Sequence, residues 1–363
     1  MDRRAVLWLL ALAFAAVGLF ADGSPRAQPV EAAFPGANGR IVFMRWMPPF
    51  DIFTMSAEGT RAVNLTNHPA NESTPAFSPD GSRIAFMSDR GANLDVYVMN
   101  ADGSGLLRLT DHPSHDYQPA WSSDGTRIAF VAGRHGAPEI YVMNADGSDE
   151  TRLTTNGANE IHPTWSSAGI AFQSDRDGQD EIYVMSADGS GQVNLTGHPA
   201  TDSHPAWSPD GSRLLFISDR DSNSDVYVMN ADGSAPANLT NDPSSDETAE
   251  WSPGGAHIVF TSDRDGDREV FVMDASGATV VQLTHNDIDE CCPDWQPVVK
   301  GNANCQGGID AIDAALVLQF GASLIGPLPC PEYADVNGDG RVDALDAALI
   351  LQFAAGLLDS LPP

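Results

Sequence analysis

The sequence predicts an all-β six-bladed β-propeller followed by a small α-helical module with an EF-hand-like calcium loop, and three observations carry that reading. Six apolar cores, Ile41–Phe43, Ile84–Phe86, Ile128–Phe130, Ile170–Phe172, Leu214–Phe216 and Ile258–Phe260, recur every 42 to 44 residues. Each sits in a unit that turn residues cut into four short strands, and a period near 44 with four strands per unit is that of a propeller blade. After Pro297 the pattern stops, and Asp335–Gln352 sets oxygen-bearing side chains in alternation ahead of an amphipathic helix, as calcium loops do.

One unit, Pro205–Thr240, shows the blade in full: PAWSPDGSRLLFISDRDSNSDVYVMNADGSAPANLT. PAWS reads as a short inner strand whose leading Pro needs no ladder donor. In SPDG, Pro fixes φ and Gly accepts a positive φ, which makes a turn. RLLF is a buried strand, SDRDSNS a loop, VYVM a half-buried strand, NADG a tight hairpin and ANLT the outer strand. The stretch Pro293–Pro297 is a seventh copy of the inner strand alone, and the first unit, from about Gly39, lacks one. A ring that lends its C-terminal strand to its first blade completes six blades, and residues 34–297 then give 44 per blade. Such radial closure also hides the sheet edges that would otherwise aggregate.

Composition limits the function classes. Lys plus Arg number 19 against 50 Asp plus Glu, a formal charge of −31, which repels nucleic acid and anionic membrane surfaces. A hydrophobic share of 42% supplies a sizeable core, so the acidity does not imply disorder. At the start of the chain, Arg3 and Arg4 precede an apolar run from Ala5 to Ala21 and a polar stretch from Asp22 to Pro29. That is the layout of a secretory signal peptide, so residues 1–33 are read as signal peptide and polar linker, with cleavage after Ala21 or near Ala32. An uncleaved anchor is the alternative, although the run is short for a span. The protein is therefore expected outside the cytoplasm, in the periplasm, at the cell surface or secreted, as a monomer with no membrane span after cleavage. Export permits disulfides among Cys291, Cys292, Cys305 and Cys330, and Cys291 with Cys292 forms either a vicinal bridge or two thiols.

The blade pattern P-x-W-S-P-D-G…I-A-F…S-D-R…I-Y-V-M-N-A-D-G…L-T resembles the TolB-type β-propeller repeat over about 260 residues. The resemblance implies an envelope or periplasmic setting. The family's namesake carries an extra N-terminal α/β domain, which is expected to be absent here because about 38 residues precede the first blade.

In residues 298–363, Asp335, Asn337, Asp339, Asp343 and Asp346 fall at loop positions 1, 3, 5, 9 and 12. Gly340 takes the sharp-turn position, and Arg341 offers its backbone carbonyl at position 7. A weaker copy lies 33 residues upstream, with Asn302, Asn304, Gln306, the backbone of Gly308, Asp310 and Asp313, of which only two are charged. Duplicated loop–helix units with Asp at position 12 resemble type I dockerin modules. That resemblance implies calcium as cofactor and a cohesin-like protein partner. The pair at positions 10 and 11 is Ala344–Leu345 in one copy and Ala311–Ile312 in the other, and these apolar pairs suit docking or self-packing alike. Cys305 and Cys330 read as a staple across a module with little core of its own.

In the propeller an acid stands three residues before each inner-strand Pro or Ala249: Glu72, Asp116, Glu160, Asp202, Asp246 and Glu290. Placed in loops on one face of the channel, they could form a funnel for a cation, a glycan or another polar ligand. Arg90, Arg134, Arg176, Arg220 and Arg264 recur four residues after each core Phe, so the acids could instead pair with them and tie blades together. Blade one has Met47 at that place, which leaves one acid without its repeat partner. His68, His112, His198 and His285 all follow the L-T of an outer strand, which repetition alone explains. Neither H-E-x-x-H nor G-x-S-x-G occurs. The reading is an exported, non-catalytic binding or scaffold propeller docked through its calcium module. The alternative is a lyase or glycoside hydrolase in a dockerin–cohesin assembly that degrades polysaccharide.

Overall fold

A computed structural model describes residues 39–297, 311–326, 328, 334–337, 341–355, 357–358 and 361. The signal peptide at 1–33, the first-loop residues Asn302, Asn304, Gln306, Gly308 and Asp310, the second-loop residues Asp339 and Gly340, and the Cys305–Cys330 staple lie outside the described residues.

Six four-stranded antiparallel sheets form the blades of the propeller. The fifth blade is typical: β16 (Asp202–Trp207), β17 (Arg213–Ser218), β18 (Asp225–Asn230) and β19 (Ala237–Asn238) pair in chain order from the channel outward. Its turns follow the chemistry of the sequence. Asp210 Oδ1 accepts the Ser208 hydroxyl and the Ser212 N–H, and Gly211 turns at φ 69°. At the NADG hairpin Gly233 has φ 83°, and a Cβ there would stand 2.5 Å from the Leu195 carbonyl of the preceding blade. Glycine thus serves both the turn and the approach of blade to blade.

The cores lie between sheets. Leu215, Ile217 and Val226 of the fifth blade pack with Trp251, Ile258, Phe260 and Phe271 of the sixth. The six repeated Phe residues, Phe43 to Phe260, are fully buried, each worth about 1.5–3 kcal/mol of burial. Between blades, Arg83, Arg127 and Arg213 stack on Trp121, Trp165 and Trp251 at 4.5–4.6 Å.

The ring closes with the borrowed strand. β1 (Ile41–Arg45) pairs with β2 (Asp51–Met55) on one side and with β24 (Glu290–Trp295) on the other, and β3 (Val63–Asn64) completes the sheet. Trp295 stands opposite Ile41, and its indole N–H donates to the Gly39 carbonyl, 256 residues away, at 3.3 Å. On the other flank, the Phe77 N–H donates to Asp294 Oδ2 at 2.6 Å, so the inner strands of the first two blades meet as expected.

In the C-terminal module, α1 (Ala311–Gly321) and α2 (Ala344–Ala354) pack through Ala314, Val317, Ala347 and Ile350, joined by Leu328 and Val336. No helix among the described residues is long and apolar enough to cross a membrane.

Trp295→Ala should lower the unfolding free energy of the propeller by about 3–5 kcal/mol, as for any buried Trp. Chemical denaturation should show a loss similar to that of Trp251→Ala, because the closing strand is as much part of the ring as any other.

Candidate functional site

The acid–arginine system is a structural anchor. Each acid is the first residue of an inner strand rather than part of a loop before it, and each is fully buried. Glu72 pairs with Arg90, Asp116 with Arg134, Glu160 with Arg176, Asp202 with Arg220 and Asp246 with Arg264, at 2.6–2.9 Å. Partners belong to the same blade, so these pairs lock strands within a sheet and do not tie blades together. The first blade is complete as well. Arg45, from within β1, reaches Glu290 at 2.9 Å, so the expected orphan acid has a partner two residues earlier than the repeat position. Each of these arginines also lies over a cross-strand aromatic pair, as Arg176 does over Phe172 and Tyr183 at 5.6 and 4.3 Å. Burial still pushes Glu72, Asp116, Glu160 and Asp246 above the ordinary carboxylate range, against the pull of the arginines. None of the six acids lines the channel cavity.

That cavity, about 490 Å³, is walled by the later part of the inner strands and by the turns that follow. Two residues after each acid, the pairing with the next strand slips, as between Ser73 and Ala76 or between Ser203 and Ala206. At the slip the residues Thr74, Gln118, His162, His204, Thr248 and Cys292 all adopt φ between 44° and 57°. A bulge of this kind re-aims a side chain, and here it presents one residue per blade to the channel. The repeat Pro follows inside the bulge, where no ladder donor is needed; it does not start the strand.

Six equivalent positions thus carry different chemistry. His162 and His204 lie with ring centroids 3.8 Å apart and planes tilted by 42°, and Gln118 Nε2 lies 3.0 Å from His162 Nε2. Burial, and then His204, hold His162 well below the usual histidine range. Burial brings His204 down to about 4, with Asp180 pulling the other way. Both rings are therefore neutral at pH 7. Cys292 is bonded to Cys291, which settles that pair as a vicinal disulfide on the channel wall. Four residues after the acids, Ala76, Ala120, Thr164 and Ala206 give way to Glu250 and Asp294 in two neighbouring blades. Burial and the nearby Asp294 push Glu250 well up, and burial raises Asp294 to about 6 although the N–H groups of Phe77 and Trp295 stabilise its anion. The histidines His68, His112 and His198 shape their own turns, each accepting the N–H two residues on through Nδ1. The repeat hid the channel residues, and the signal that could have found them is their variation where neighbouring positions stay constant.

The second candidate site is the loop before α2. Asp346, fully buried, accepts the N–H groups of Val336 and Asn337 on Oδ1 and that of Asp343 on Oδ2, at 2.9–3.2 Å. Asp343 caps the helix by accepting the Leu345 N–H at 2.8 Å. Negative charge at a helix N-terminus is favourable, and the box gathers loop and helix around one carboxylate. Asp335, Asn337, Asp343 and Asp346 offer only oxygen to a cation from this fold, which fits a hard ion such as calcium. Asp313, equivalent to Asp346, is also fully buried. Ile312 and Leu345, in contrast, are 60% and 56% exposed, so the two apolar pairs do not self-pack.

Comparison with known proteins agrees with this architecture. The TolB beta propeller domain family matches residues 110–203, 167–234 and 194–305, together more than half of the chain. The dockerin type I domain matches residues 301–353. Among solved structures, TolB from Acinetobacter baumannii is similar at 21% identity and a TM-score of 0.65, over 72% of this chain and 68% of that one. Hydrazine synthase from Kuenenia stuttgartiensis is similar at 15% identity and a TM-score of 0.62, over 72% of this chain and 47% of that one. At such identities the likeness speaks for the fold. No curated protein matches the chain.

The channel carboxyls make a pH-dependent prediction. A carboxyl whose pKa rises on folding stabilises the fold below its unfolded pKa and loses that contribution as pH climbs through the folded value. For Asp294 the loss falls between about pH 4 and about 6, and for Glu250 it begins at its ordinary range and extends well above it. Glu250→Gln should therefore stabilise the propeller at pH 7.5 by about 1 kcal/mol, with the gain vanishing towards pH 4. Thermal unfolding of both proteins across that range measures it. His204 contributes with the opposite sign, losing stability as pH falls from 6.5 towards 4, and it does so equally in both proteins.

Proposed function

The chain belongs to the TolB beta propeller domain family, and from that premise we propose an exported, non-catalytic binding propeller, docked to a cohesin-bearing protein by its calcium-loaded dockerin module. The observation that carries the docking half is the exposure of Ile312 and Leu345 at equivalent places on α1 and α2, while the opposite faces of both helices are spent on the module core. Calcium is held by Asp335, Asn337, Asp339, the Arg341 carbonyl, Asp343 and Asp346, and more weakly by Asn302, Asn304, Asp310 and Asp313. It gathers the carboxylates into one rigid loop and so fixes the start of each helix, where the partner lands. The ligand-binding half rests on the channel. Gln118, His162, His204, Glu250 and Asp294 offer donors and acceptors to a small polar ligand or a glycan end, while the six buried acid–arginine pairs hold the strands that present them. Location in the periplasm or beyond the cell follows from the residues 1–33 read as a signal peptide.

Calorimetric titration of the full chain with a type I cohesin should show tight binding in calcium and a loss of about 100-fold or more in chelator. The double variant Ile312→Asp, Leu345→Asp should bind at least about 100-fold more weakly while keeping its calcium and its helices. Equal affinity in chelator, or an unaffected double variant, would refute the docking reading.

One observation favours a second reading, a polysaccharide-degrading enzyme. Glu250 and Asp294 form a carboxyl pair of raised proton affinity within a cavity, the arrangement from which acid–base roles are made. Release of product from oligosaccharides by the wild-type chain and not by Glu250→Gln would establish it in place of the binding role.

A further inference from the structure

Most acids that the propeller buries are met from within the chain. The six strand-opening acids each hold an arginine of their own blade at 2.6–2.9 Å. Asp95 and Glu139, on third strands, hold Arg108 and Arg152 at 2.7 and 2.6 Å. Glu181, Asp225 and Glu269, at the same place in other blades, accept from the side-chain amides of Gln179, Asn238 and Asn286 at 2.7, 2.9 and 3.2 Å.

Glu250 and Asp294 have no such partner. They lie in the inner strands β20 (Asp246–Trp251) and β24 of neighbouring blades, and both line the channel cavity. Among the described residues no side-chain donor bonds either carboxyl, and no hydrogen bond joins one to the other. Asp294 accepts only the backbone N–H groups of Phe77 and Trp295, at 2.6 and 2.8 Å. No lysine or arginine lines the cavity of about 490 Å³, and its histidines are neutral at pH 7. Two carboxyls therefore border one concave space whose wall holds no charge of the opposite sign. Ala76, Ala120 and Thr164, at equivalent places of the wall, are short and uncharged. A molecule that enters the cavity can supply the missing charge, and the net charge of −31 draws cations towards it.

A metal ion fits poorly, since a hard ion takes about six or more oxygen ligands. Among the described residues no third histidine, cysteine or carboxylate groups with these two acids within 4.8 Å. A primary ammonium is satisfied by less, because it brings three N–H donors on a carbon body. Trp251 and Trp295, next to the two acids in the chain, belong to the same wall, and aromatic faces attract cations. Across the ring, Gln118, His162 and His204 present uncharged donors and acceptors to the rest of such a molecule. On the premise that the channel is the ligand site, we propose that its ligand is a small organic cation, with a primary ammonium group between the carboxylates of Glu250 and Asp294. The two acids then do for the ligand what the strand-opening acids do for arginine. An amino sugar and an aliphatic diamine both carry such a group.

Calorimetric titration of the full chain at pH 7 tests this with probes that differ only in the charged group. Glucosamine is compared with glucose, and cadaverine with the diol of the same chain length. The amine of at least one pair should bind about 10-fold or more tightly than its neutral partner. Glu250→Gln and Asp294→Asn, each shown to be folded by its unfolding midpoint, should lose that preference and bind the neutral partner no worse. Both variants leave the acidic outer surface unchanged, so they separate the channel from unspecific attraction. Preference for glucosamine alone identifies an amino sugar, and for cadaverine alone a polyamine; either result supports the proposal. Neutral probes that bind as tightly as the amines, or variants that keep the preference, would overturn it and leave the channel as a site for uncharged ligands. Absence of amine binding up to about 10 mM would overturn it too. The reading of the channel as a ligand site falls with it only when none of the four probes binds.

Discussion

Ring closure is the constraint on which the rest of this structure depends. Six sheets pack face to face around a channel, so the first and the sixth are covered on both faces only if the ring shuts, and the chain completes the first sheet with β24, a strand that follows every other strand of the propeller. The closing strand carries Glu290, which anchors Arg45, and Trp295, which seals the first blade against the sixth. It also brings Cys292 and Asp294 into the channel. The act of closing therefore breaks the sixfold symmetry of the wall. A polar cluster across two neighbouring blades arises because one of them is assembled from both ends of the propeller.

The blade architecture was legible because it rests on local rules. Apolar cores at a period near 44, Pro-Asp-Gly turns and a surplus inner strand are all sequence-near features, and each reappears as expected. Five of the six acids were legible as partners of arginines, since both recur in register. Their placement was not. The spacing from acid to Pro looked like a loop before a strand, whereas the strand starts at the acid and contains a bulge. A bulge is a property of pairing between strands, and no single residue type announces it; Thr74, Gln118, His162 and Cys292 share it without sharing chemistry. Arg45 was missed for a related reason, because it reaches Glu290 directly from the strand opposite it, without the intervening turn its sisters use.

The module shows the converse case. Its loop stands out in the sequence as oxygen-bearing side chains at the spacing a cation-binding loop requires. The structure adds the division of labour: Asp346 is buried and gathers three backbone donors, while Leu345 beside it faces outward. One residue fixes the loop to the helix and its neighbour stays at the surface, an arrangement that the alternation of a helix start makes available at no cost to the core.

A repeat protein offers its own control for each side chain, and this decides how its polar residues should be weighed. Where all six blades carry the same group in the same geometry, as with the buried acid and its arginine over an aromatic pair, the group answers a need that every blade has, namely holding its strands together. The departure at the channel has no such explanation. Glu250 and Asp294 replace small neutral residues and raise the cost of keeping both carboxyls charged. Both changes worsen the isolated fold at neutral pH, since they set two carboxyls side by side in the wall of a cavity. A cost of that kind, absent from the equivalent positions of the other blades, is one that the proposed ligand of the channel would offset.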